Sequence, residues 1–317
     1  MSFLDALTTA ILPVLAIAAV GFGLGRTRDV DVEALSTITI YVLTPALVFS
    51  SLTLTPLSGN AVARLGLGVL LFTLLMVGAA ESVARLTGEQ EPIRGALVLT
   101  STFPNAGNYG IPLSAFAFGA VGRSTAVLYI AAQAVLMYTI GVYIASRGQT
   151  GAARSAVSEV FRLPLVYAVL AAGLARWLDV VPPADSALMQ TIELTGNAAI
   201  PVMLLMLGIQ LANTSYGAAL SRVRAATVLK VAVAPVLAAG IALGLGMGDQ
   251  TVARVFVLEC AMPAAITPLM LTIEFGGDAG GDVSAPEYVS TAIMVTTLLS
   301  IPTLAVLITL LQSGAVI

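Results

Sequence analysis

Histidine is absent from this sequence, and cysteine occurs once, as Cys260. These absences exclude a disulfide framework within the chain, a metal site of clustered histidines or cysteines, and catalysis by Ser-His or Cys-His pairs. Charged residues make up only 10% of the chain, whereas a soluble domain has about 25%. The net charge of −3 offers no basic field to nucleic acid. The sequence therefore predicts a protein that is not an enzyme and that uses no metal or organic cofactor.

Apolar residues are abundant: they form 58% of the chain, and the mean hydropathy is +0.99. Ten stretches approach the roughly 20 residues that a helix needs to cross a bilayer. The sequence thus predicts an all-α integral membrane protein, with the lipid bilayer as its surroundings. Asp5 lies where a secretory signal peptide would be basic, so the first stretch is predicted to be a span. The predicted spans are residues 5–25, 32–52, 61–83, 92–119, 124–146, 161–178, 187–212, 225–246, 251–276 and 286–312.

The basic residues are distributed unequally between the two sides of this topology. Since cytoplasmic loops retain Lys and Arg, the richer side is predicted to be cytoplasmic, with both termini outside the cell membrane. Lys230, the only lysine, is expected to snorkel from the eighth span to that surface. The richer side carries Arg26, Arg28, Arg85, Arg94, Arg147, Arg154, Arg162, Arg222, Arg224 and Lys230, and the other carries Arg64, Arg123, Arg176 and Arg254.

Helix-breaking residues interrupt the fourth and ninth spans. Proline removes a backbone donor and clashes with the preceding turn, and freed backbone is tolerated at membrane depth only inside protein or beside a watery cavity. Paired interruptions of this kind indicate the substrate site of a secondary transporter. The two stretches are Pro104-Asn105-Ala106-Gly107-Asn108-Tyr109-Gly110-Ile111-Pro112 and Met262-Pro263-Ala264-Ala265-Ile266-Thr267-Pro268.

The positions of the interruptions predict two inverted repeats. Residues 1–147 form the first set of five spans, 148–160 a cytoplasmic connection, and 161–317 the second set. An odd number of spans in each half gives the halves opposite topology. Prolines recur in the same order in both halves, at Pro13, Pro45 and Pro112 and then at Pro164, Pro201 and Pro268. The two broken helices are therefore expected to cross near the membrane midplane.

The ends of the broken helices predict the charge of the ligand. A helix N-terminus carries roughly half a positive charge and can bind an anion without a basic side chain. The centres of both broken spans lack Arg and Lys, so a small carboxylate is a plausible substrate. The carbonyl ends can equally hold a cation.

Asparagines and glycines within the first interruption are candidate pocket residues. Asn105 and Asn108 either bond the substrate or satisfy freed backbone at the break. Gly107 and Gly110 either permit unusual backbone and close approach or simply pack helices together.

Further polar residues in the spans also carry two interpretations. Glu259, one turn before the second break, carries a proton or helps bind a cation, unless it lies near an interface. Gln133 reaches the cavity or bonds another helix, and Tyr138 either lines the cavity or packs. Asn197 lines the cavity or packs between helices, whereas Glu274 is expected at the membrane surface.

At these residues the sequence resembles the auxin efflux carrier family, which includes plant auxin carriers and bacterial malonate or malate permeases. Pro104-Asn105 with Gly110-Ile111-Pro112-Leu113 resembles the family's fourth-helix motif. Ala261-Met262-Pro263, Pro268 and Glu274-Phe275-Gly276 resemble the ninth-helix motif. Gln133 with Tyr138-Thr139 resembles the fifth helix, and Ser290-Thr291-Ala292 the start of the tenth.

The resemblance implies a scaffold and a transport domain that moves like an elevator, and a homodimer formed through the scaffold. It implies that a small organic anion binds at the crossover through Asn105, beside Pro104, Pro112, Pro263 and Pro268, with Gln133 in a supporting site. The second span lacks the supporting aspartate of the plant carriers, and Glu259 is a candidate to replace it.

The leading interpretation is a secondary transporter or uniporter that moves a small organic anion, such as an auxin-like compound or a dicarboxylate, out of the cell. The first alternative is a sodium-coupled symporter of organic anions, similar to the bile-acid symporters, and the coupling ion is then Na⁺ rather than H⁺. A channel or receptor is a remote alternative. An intramembrane enzyme is disfavoured, because the chain has no His and its acids are not clustered.

Overall fold

The computed structural model describes residues 3–55, 57–147, 161–213, 219–275 and 283–317. These residues contain no strand, and one isolated backbone bridge is their only β-type pairing. The predicted connection at 148–160 lies outside them. The helices are numbered here as α1 Leu7–Thr27, α2 Val32–Leu54, α3 Gly59–Leu86, α4 Ile93–Thr102, α5 Ala106–Ala145, α6 Pro164–Trp177, α7 Ala187–Asn213, α8 Arg224–Leu245, α9 Gln250–Cys260, α10 Thr267–Phe275 and α11 Ala285–Gln312.

Seven of the described helices are long and apolar enough to cross a bilayer, namely α1, α2, α3, α5, α7, α8 and α11. Large apolar side chains are exposed on them and on α6, where Tyr167, Leu170, Leu174 and Trp177 all face outward. Such a surface is stable only in contact with lipid or another protein. The prediction of an all-α, multi-pass membrane protein is therefore confirmed.

The helix α5 contains a sharp turn that the sequence analysis placed between two spans. Gly119 adopts φ 65° and ψ −147°, which is outside the helical region and favours glycine. The arms 106–118 and 120–145 fold back against each other at this turn. They approach so closely that a Cβ at Gly122 would overlap the carbonyl oxygen of Ser114. The turn thus falls at the end of the predicted fourth span.

Four of the prolines within the helices follow a single π-helical turn. The turns Leu7–Ile11, Thr39–Leu43, Ala106–Gly110 and Leu229–Val233 each end two residues before a proline, at Pro13, Pro45, Pro112 and Pro235. A proline removes one hydrogen bond and crowds the carbonyl of the preceding turn, and a wider turn relieves that crowding. These prolines therefore distort the helices locally without ending them.

The helices pack into two groups. In the first group, α1 packs along α7, and α2 packs against both α6 and α7. In the second group, α5 packs on α9 and α3, α4 lies against α3 and α11, α8 contacts α3 and α9, and α10 contacts α11. Contacts between the groups are fewer and centre on α5.

Charged residues connect helix ends at one face of the second group. Glu81, near the end of α3, forms ion pairs with Arg85, Arg94 and Arg147, and the Arg147 pair measures 2.9 Å. These arginines belong to the arginine-rich side that the sequence analysis assigned to the cytoplasm. At the opposite face, Arg64 near the start of α3 donates to the carbonyl of Leu245 at the end of α8, at 3.2 Å. The helix ends thus alternate between two polar faces.

Candidate functional site

The two interrupted segments lie side by side and pair through their backbones. The amide of Asn105 donates to the carbonyl of Pro263 at 2.8 Å, and the amide of Ala265 donates to that of Phe103 at 3.0 Å. Pro104 and Ala264 form the antiparallel bridge between these bonds. The residues that could not continue a helix therefore satisfy each other, as backbone buried at membrane depth must.

Four helix ends meet at this pairing. The helices α4 and α9 end there at Thr102 and Cys260, and α5 and α10 begin there at Ala106 and Thr267. Partial negative charge accumulates at the two carbonyl ends and partial positive charge at the two amide ends. The crossover can therefore accept an anion at one pair of ends and a cation at the other.

Side chains from the second arm of α5 and from α11 hold the crossover in place. Gln133 on the second arm of α5 donates from Nε2 to the carbonyl of Pro104, at 2.9 Å. Thr296 on α11 accepts a bond from the amide of Ala264, at 3.1 Å. Each break thus has one backbone group bonded by a neighbouring helix. The Nε2 atom of Gln133 therefore bonds another segment of the protein, which is the second of its two interpretations.

Asn105 presents an amide group that the break does not use. The residue is 5% exposed, and its side chain does not cap the turn that follows it. Its Nδ2 atom has no hydrogen-bond partner among the described residues. A buried donor without a partner costs about 1–3 kcal/mol, so this amide is available to a ligand oxygen. The Nδ2 atom of Asn105 thus makes no bond to freed backbone among the described residues.

The other residues predicted for the site differ in burial. Pro104, Pro112, Pro263 and Pro268 are buried around the crossover, and so is Gly110. By contrast, the remaining predicted residues are partly exposed; they are Gly107, Asn108 and Tyr138. The crossover thus has a buried interior and a more accessible edge.

Glu259 lies deep in the structure rather than at an interface. It is fully buried in the last turn of α9, and its Oε1 accepts a 2.6 Å bond from the Ser114 hydroxyl. A Cβ at Gly110 would overlap Oε2, so the glycine makes room for the carboxyl group. Oε2 has no hydrogen-bond partner among the described residues. Of the two interpretations offered for Glu259, the structure favours the buried ionisable group.

Several buried oxygen and nitrogen atoms around the two breaks share this lack of a partner. Each could bond a ligand, an ion or water, and the set contains more acceptors than donors. Three or more acidic, His or Cys side chains that could hold a metal together do not occur among the described residues. The atoms are Ser101 Oγ, Thr102 Oγ1, Asn105 Nδ2, Gln133 Oε1, Glu259 Oε2 and Thr297 Oγ1.

The expectation that Lys230 snorkels to the cytoplasmic surface is wrong. Lys230 is 1% exposed, and its ammonium donates to the carbonyl of Cys260 at 3.3 Å, at the end of α9. The snorkelling rule fails here because the end of α9 offers the ammonium a buried carbonyl partner. The centres of the broken spans themselves contain no Arg or Lys, but Lys230 of α8 contacts the end of α9.

Two further candidates lie away from the crossover. Asn197 on α7 accepts a 2.8 Å bond from Arg123, which follows the Gly119 turn, so it connects the two helix groups. Glu274 near the end of α10 is exposed, as expected of a residue at the membrane surface.

The residues that sequence reasoning missed are Ser114, Thr296 and Lys230. Ser and Thr are common in membrane helices because they can bond their own backbone, so neither residue stood out. Lys230 did carry a recognisable feature, since it is the only lysine and lies in a span.

A multi-pass helical bundle in which two interrupted helices cross belongs to the class of membrane transporters. The sequence identifies the family: residues 6–308 match the family of membrane transport proteins, and the chain belongs to it. This is the family of the auxin efflux carriers, so the resemblance stated above is confirmed.

Curated relatives support this assignment over nearly their whole length. An uncharacterized transporter of Methanothermobacter thermautotrophicus is 26% identical over 301 residues, which cover 94% of this chain and 96% of the relative. An uncharacterized transporter of Methanocaldococcus jannaschii is 22% identical over 308 residues, covering 93% of this chain and 96% of the relative.

Proposed function

We propose that this protein is a secondary transporter of a small organic anion in the cell membrane, and that it exports its substrate. The observation that carries the proposal is the unpartnered Asn105 amide at the crossing of two broken helices. The amide ends of α5 and α10 supply a positive field there. A carboxylate matches both features, because it accepts the amide bond and carries the complementary charge.

The proposed architecture has ten spans in two inverted repeats, 1–147 and 161–317, joined by a cytoplasmic connection at 148–160. In this scheme α4 and the first arm of α5 form the fourth span, and α9 and α10 form the ninth. The hydrogen bonds at the two breaks support this symmetry, because in each half the span after the break bonds its backbone. Gln133 of the fifth span bonds Pro104, and Thr296 of the tenth bonds Ala264. Both termini lie outside the cell in this topology.

The proposed mechanism is an elevator. The first helix group (α1, α2, α6 and α7) serves as scaffold, and the second group carries the crossover across the membrane. The sparse contact between the groups supports this division, since a moving body needs few bonds to its support. We also propose a homodimer formed through the scaffold, and a measurement of the protein mass in detergent, corrected for bound detergent, tests it directly.

Uptake of labelled carboxylates into proteoliposomes tests the proposed site. Wild type is expected to accumulate at least one of malonate, malate and indole-3-acetate, and Asn105→Ala to lose at least about 10-fold in rate, since a charge-assisted bond contributes about 1.5–3 kcal/mol. Asn60→Ala is the matched control, because Asn60 is exposed at the start of α3, away from the crossover, and its side-chain oxygen accepts a bond from Arg64. Equal rates for wild type and Asn105→Ala would reject the site.

A sodium-coupled symporter is the second candidate, and the acceptor-rich crossover favours it. Gln133 Oε1, Thr102 Oγ1 and Glu259 Oε2 are buried oxygens of the kind that bind hard cations. In proton coupling, Glu259 is instead the proposed carrier of H⁺. Varying sodium at fixed pH, and then pH at fixed sodium, in the same vesicles separates these two cases from uniport.

A further inference from the structure

Lys230 is the one lysine of the chain, and it is directed into the protein interior. The hydrocarbon of its side chain runs toward α9, and the ammonium lies 3.3 Å from the carbonyl oxygen of Cys260. A second contact is with the ring of Phe72 on α3, whose centroid is 5.7 Å from Nζ. A buried ammonium is expensive unless it has partners of this kind, so the placement indicates a specific role.

Lys230 bonds the carbonyl at the end of α9 that has no backbone hydrogen-bond partner among the described residues. The preceding carbonyls have backbone partners: Ala261 donates to those of Val257 and Leu258, and Met262 to that of Glu259. Cys260 is the last residue of the helix, and its oxygen receives the ammonium. The partial negative charge of a helix C-terminus is greatest at this point, so a cation is favoured there.

The local geometry of α8 brings Lys230 to this carbonyl. Lys230 lies inside the π-helical turn Leu229–Val233, which precedes Pro235. A π turn rotates the side chains that follow relative to a regular α-helix, and such turns are frequent at functional sites. The distortion that the proline requires therefore also determines where the ammonium lies.

The groups that face this ammonium are few. Across α9, Glu259 points away toward Ser114 and Gly110 on α5, and it is the acidic side chain of this turn. The Cys260 thiol lies 3.4 Å from the Tyr129 hydroxyl, and both are buried. One basic and one acidic side chain therefore flank the last turn of α9.

We infer that Lys230 is a built-in cation that occupies the carbonyl end of α9, where a coupling metal ion would otherwise bind. The inference rests on the proposed transport function and deepens it, because it selects among the coupling modes. The amine belongs to the chain itself and stabilises the helix end through its bond to the Cys260 carbonyl, so transport proceeds without sodium, and Glu259 is left as the carboxylate candidate for coupling at this turn. Lys230 acts here as a positioning residue that fixes the end of α9.

Chemical rescue of a cavity variant tests this inference on the purified full chain. Lys230→Ala removes the ammonium and leaves space beside Cys260, so the melting temperature in choline chloride is expected to fall by several degrees. Methylammonium chloride at equal ionic strength is expected to recover most of that loss in a saturable way, because this cation fits the space and choline does not. Wild type is expected to melt at the same temperature in sodium, choline and methylammonium chloride.

Leu229→Ala is the matched control, since it shortens a buried neighbour in the same π turn without removing charge. Its melting temperature should also fall, but equally in all three salts. A Lys230→Ala protein whose loss is the same in every salt would overturn the inference, as would a wild type that sodium stabilises over choline. The latter measurement decides the question even if Lys230→Ala does not fold.

A transport readout separates this inference from the proposed function. Wild-type proteoliposomes are expected to take up the labelled carboxylate that they accumulate at equal rates in sodium and in choline buffers, and a strict sodium requirement would contradict the built-in cation. If wild type moves none of the tested carboxylates, the proposed function fails, whereas the cation dependence of melting still supports or rejects Lys230 independently.

Discussion

At the scale of single residues, the contact between Gly110 and Glu259 offers the sharpest prediction. Gly110→Ala places a methyl group against Glu259 Oε2, so the carboxyl group must shift and the bond to Ser114 weakens. We expect a loss of about 1–3 kcal/mol, typical of overpacking in a well-packed interior. The loss should shrink in a Glu259→Ala background, where the methyl group meets empty space. Thermal unfolding of the two single variants and the double variant measures this coupling.

Gly107→Ala provides the control for this cycle. The added Cβ would lie 2.8 Å from the Cδ1 atom of Ile130, the flexible end of a side chain that can move aside. This variant should therefore cost less and show no coupling to Glu259→Ala. Additive effects for Gly110→Ala and Glu259→Ala would mean that the carboxyl group does not depend on the glycine.

Residue types in the sequence indicated the functional segments but not the partners within them. Asn105, Gln133 and Glu259 stood out because polar groups are rare in such apolar spans. Their partners could not be read, because Ser114 lies 145 residues from Glu259 in the chain. Lys230 was misplaced for the same reason, since a snorkelling rule considers only distance along its own helix.

At the scale of helices, the hydroxyl of Thr296 on α11 supports the break between α9 and α10. Thr296→Val keeps the side-chain shape but removes the acceptor of the Ala264 amide. The amide is then buried without a partner, which costs about 1–3 kcal/mol. We expect a lower melting temperature and slower transport, because the crossover loses one of its supports.

Thr297→Val is the comparison that isolates this effect. The Thr297 hydroxyl is buried without a partner among the described residues, so its replacement by a methyl group removes no bond from the break. We expect the stability to be unchanged or slightly higher, measured by the same thermal unfolding. Equal losses in the two variants would show that the amide of Ala264 does not rely on Thr296.

Helix positions were largely predictable, whereas helix distortions were not. Hydropathy alone located α2, α7 and α11 within a few residues, because apolar length determines a span. The prolines of the fourth and ninth spans predicted helix interruptions, and Pro104 and Pro263 do lie between helices. Other prolines, such as Pro45 and Pro235, lie inside continuous helices and follow π turns that the sequence did not predict. The difference depends on tertiary packing around each proline, which no local rule describes.

At the scale of the whole molecule, the pairing of the two breaks was foreseeable, but the sparse contact between helix groups was not. Both broken spans could be recognised because each half of the chain contains one at a corresponding position. The contacts that join the groups depend on which faces meet in space. Ser124 on α5, for example, donates to the carbonyl of Ser51 on α2 at 2.8 Å, although 73 residues separate them.

This contact between the groups allows the proposed elevator motion to be tested. Cysteines at Ser51 and Ser124, in a Cys260→Ala background, should form a disulfide or accept a short methanethiosulfonate linker, since the two serines are buried in contact. The cross-link holds α5 against α2, so we expect uptake of the labelled carboxylate that wild type accumulates to stop on oxidation and to return with a reductant. Each single-cysteine variant, oxidised in the same way, should transport like its reduced form. Full transport by the cross-linked protein would mean that the two helix groups do not slide past each other at this contact, and the elevator would have to be abandoned for a motion that leaves α2 and α5 together.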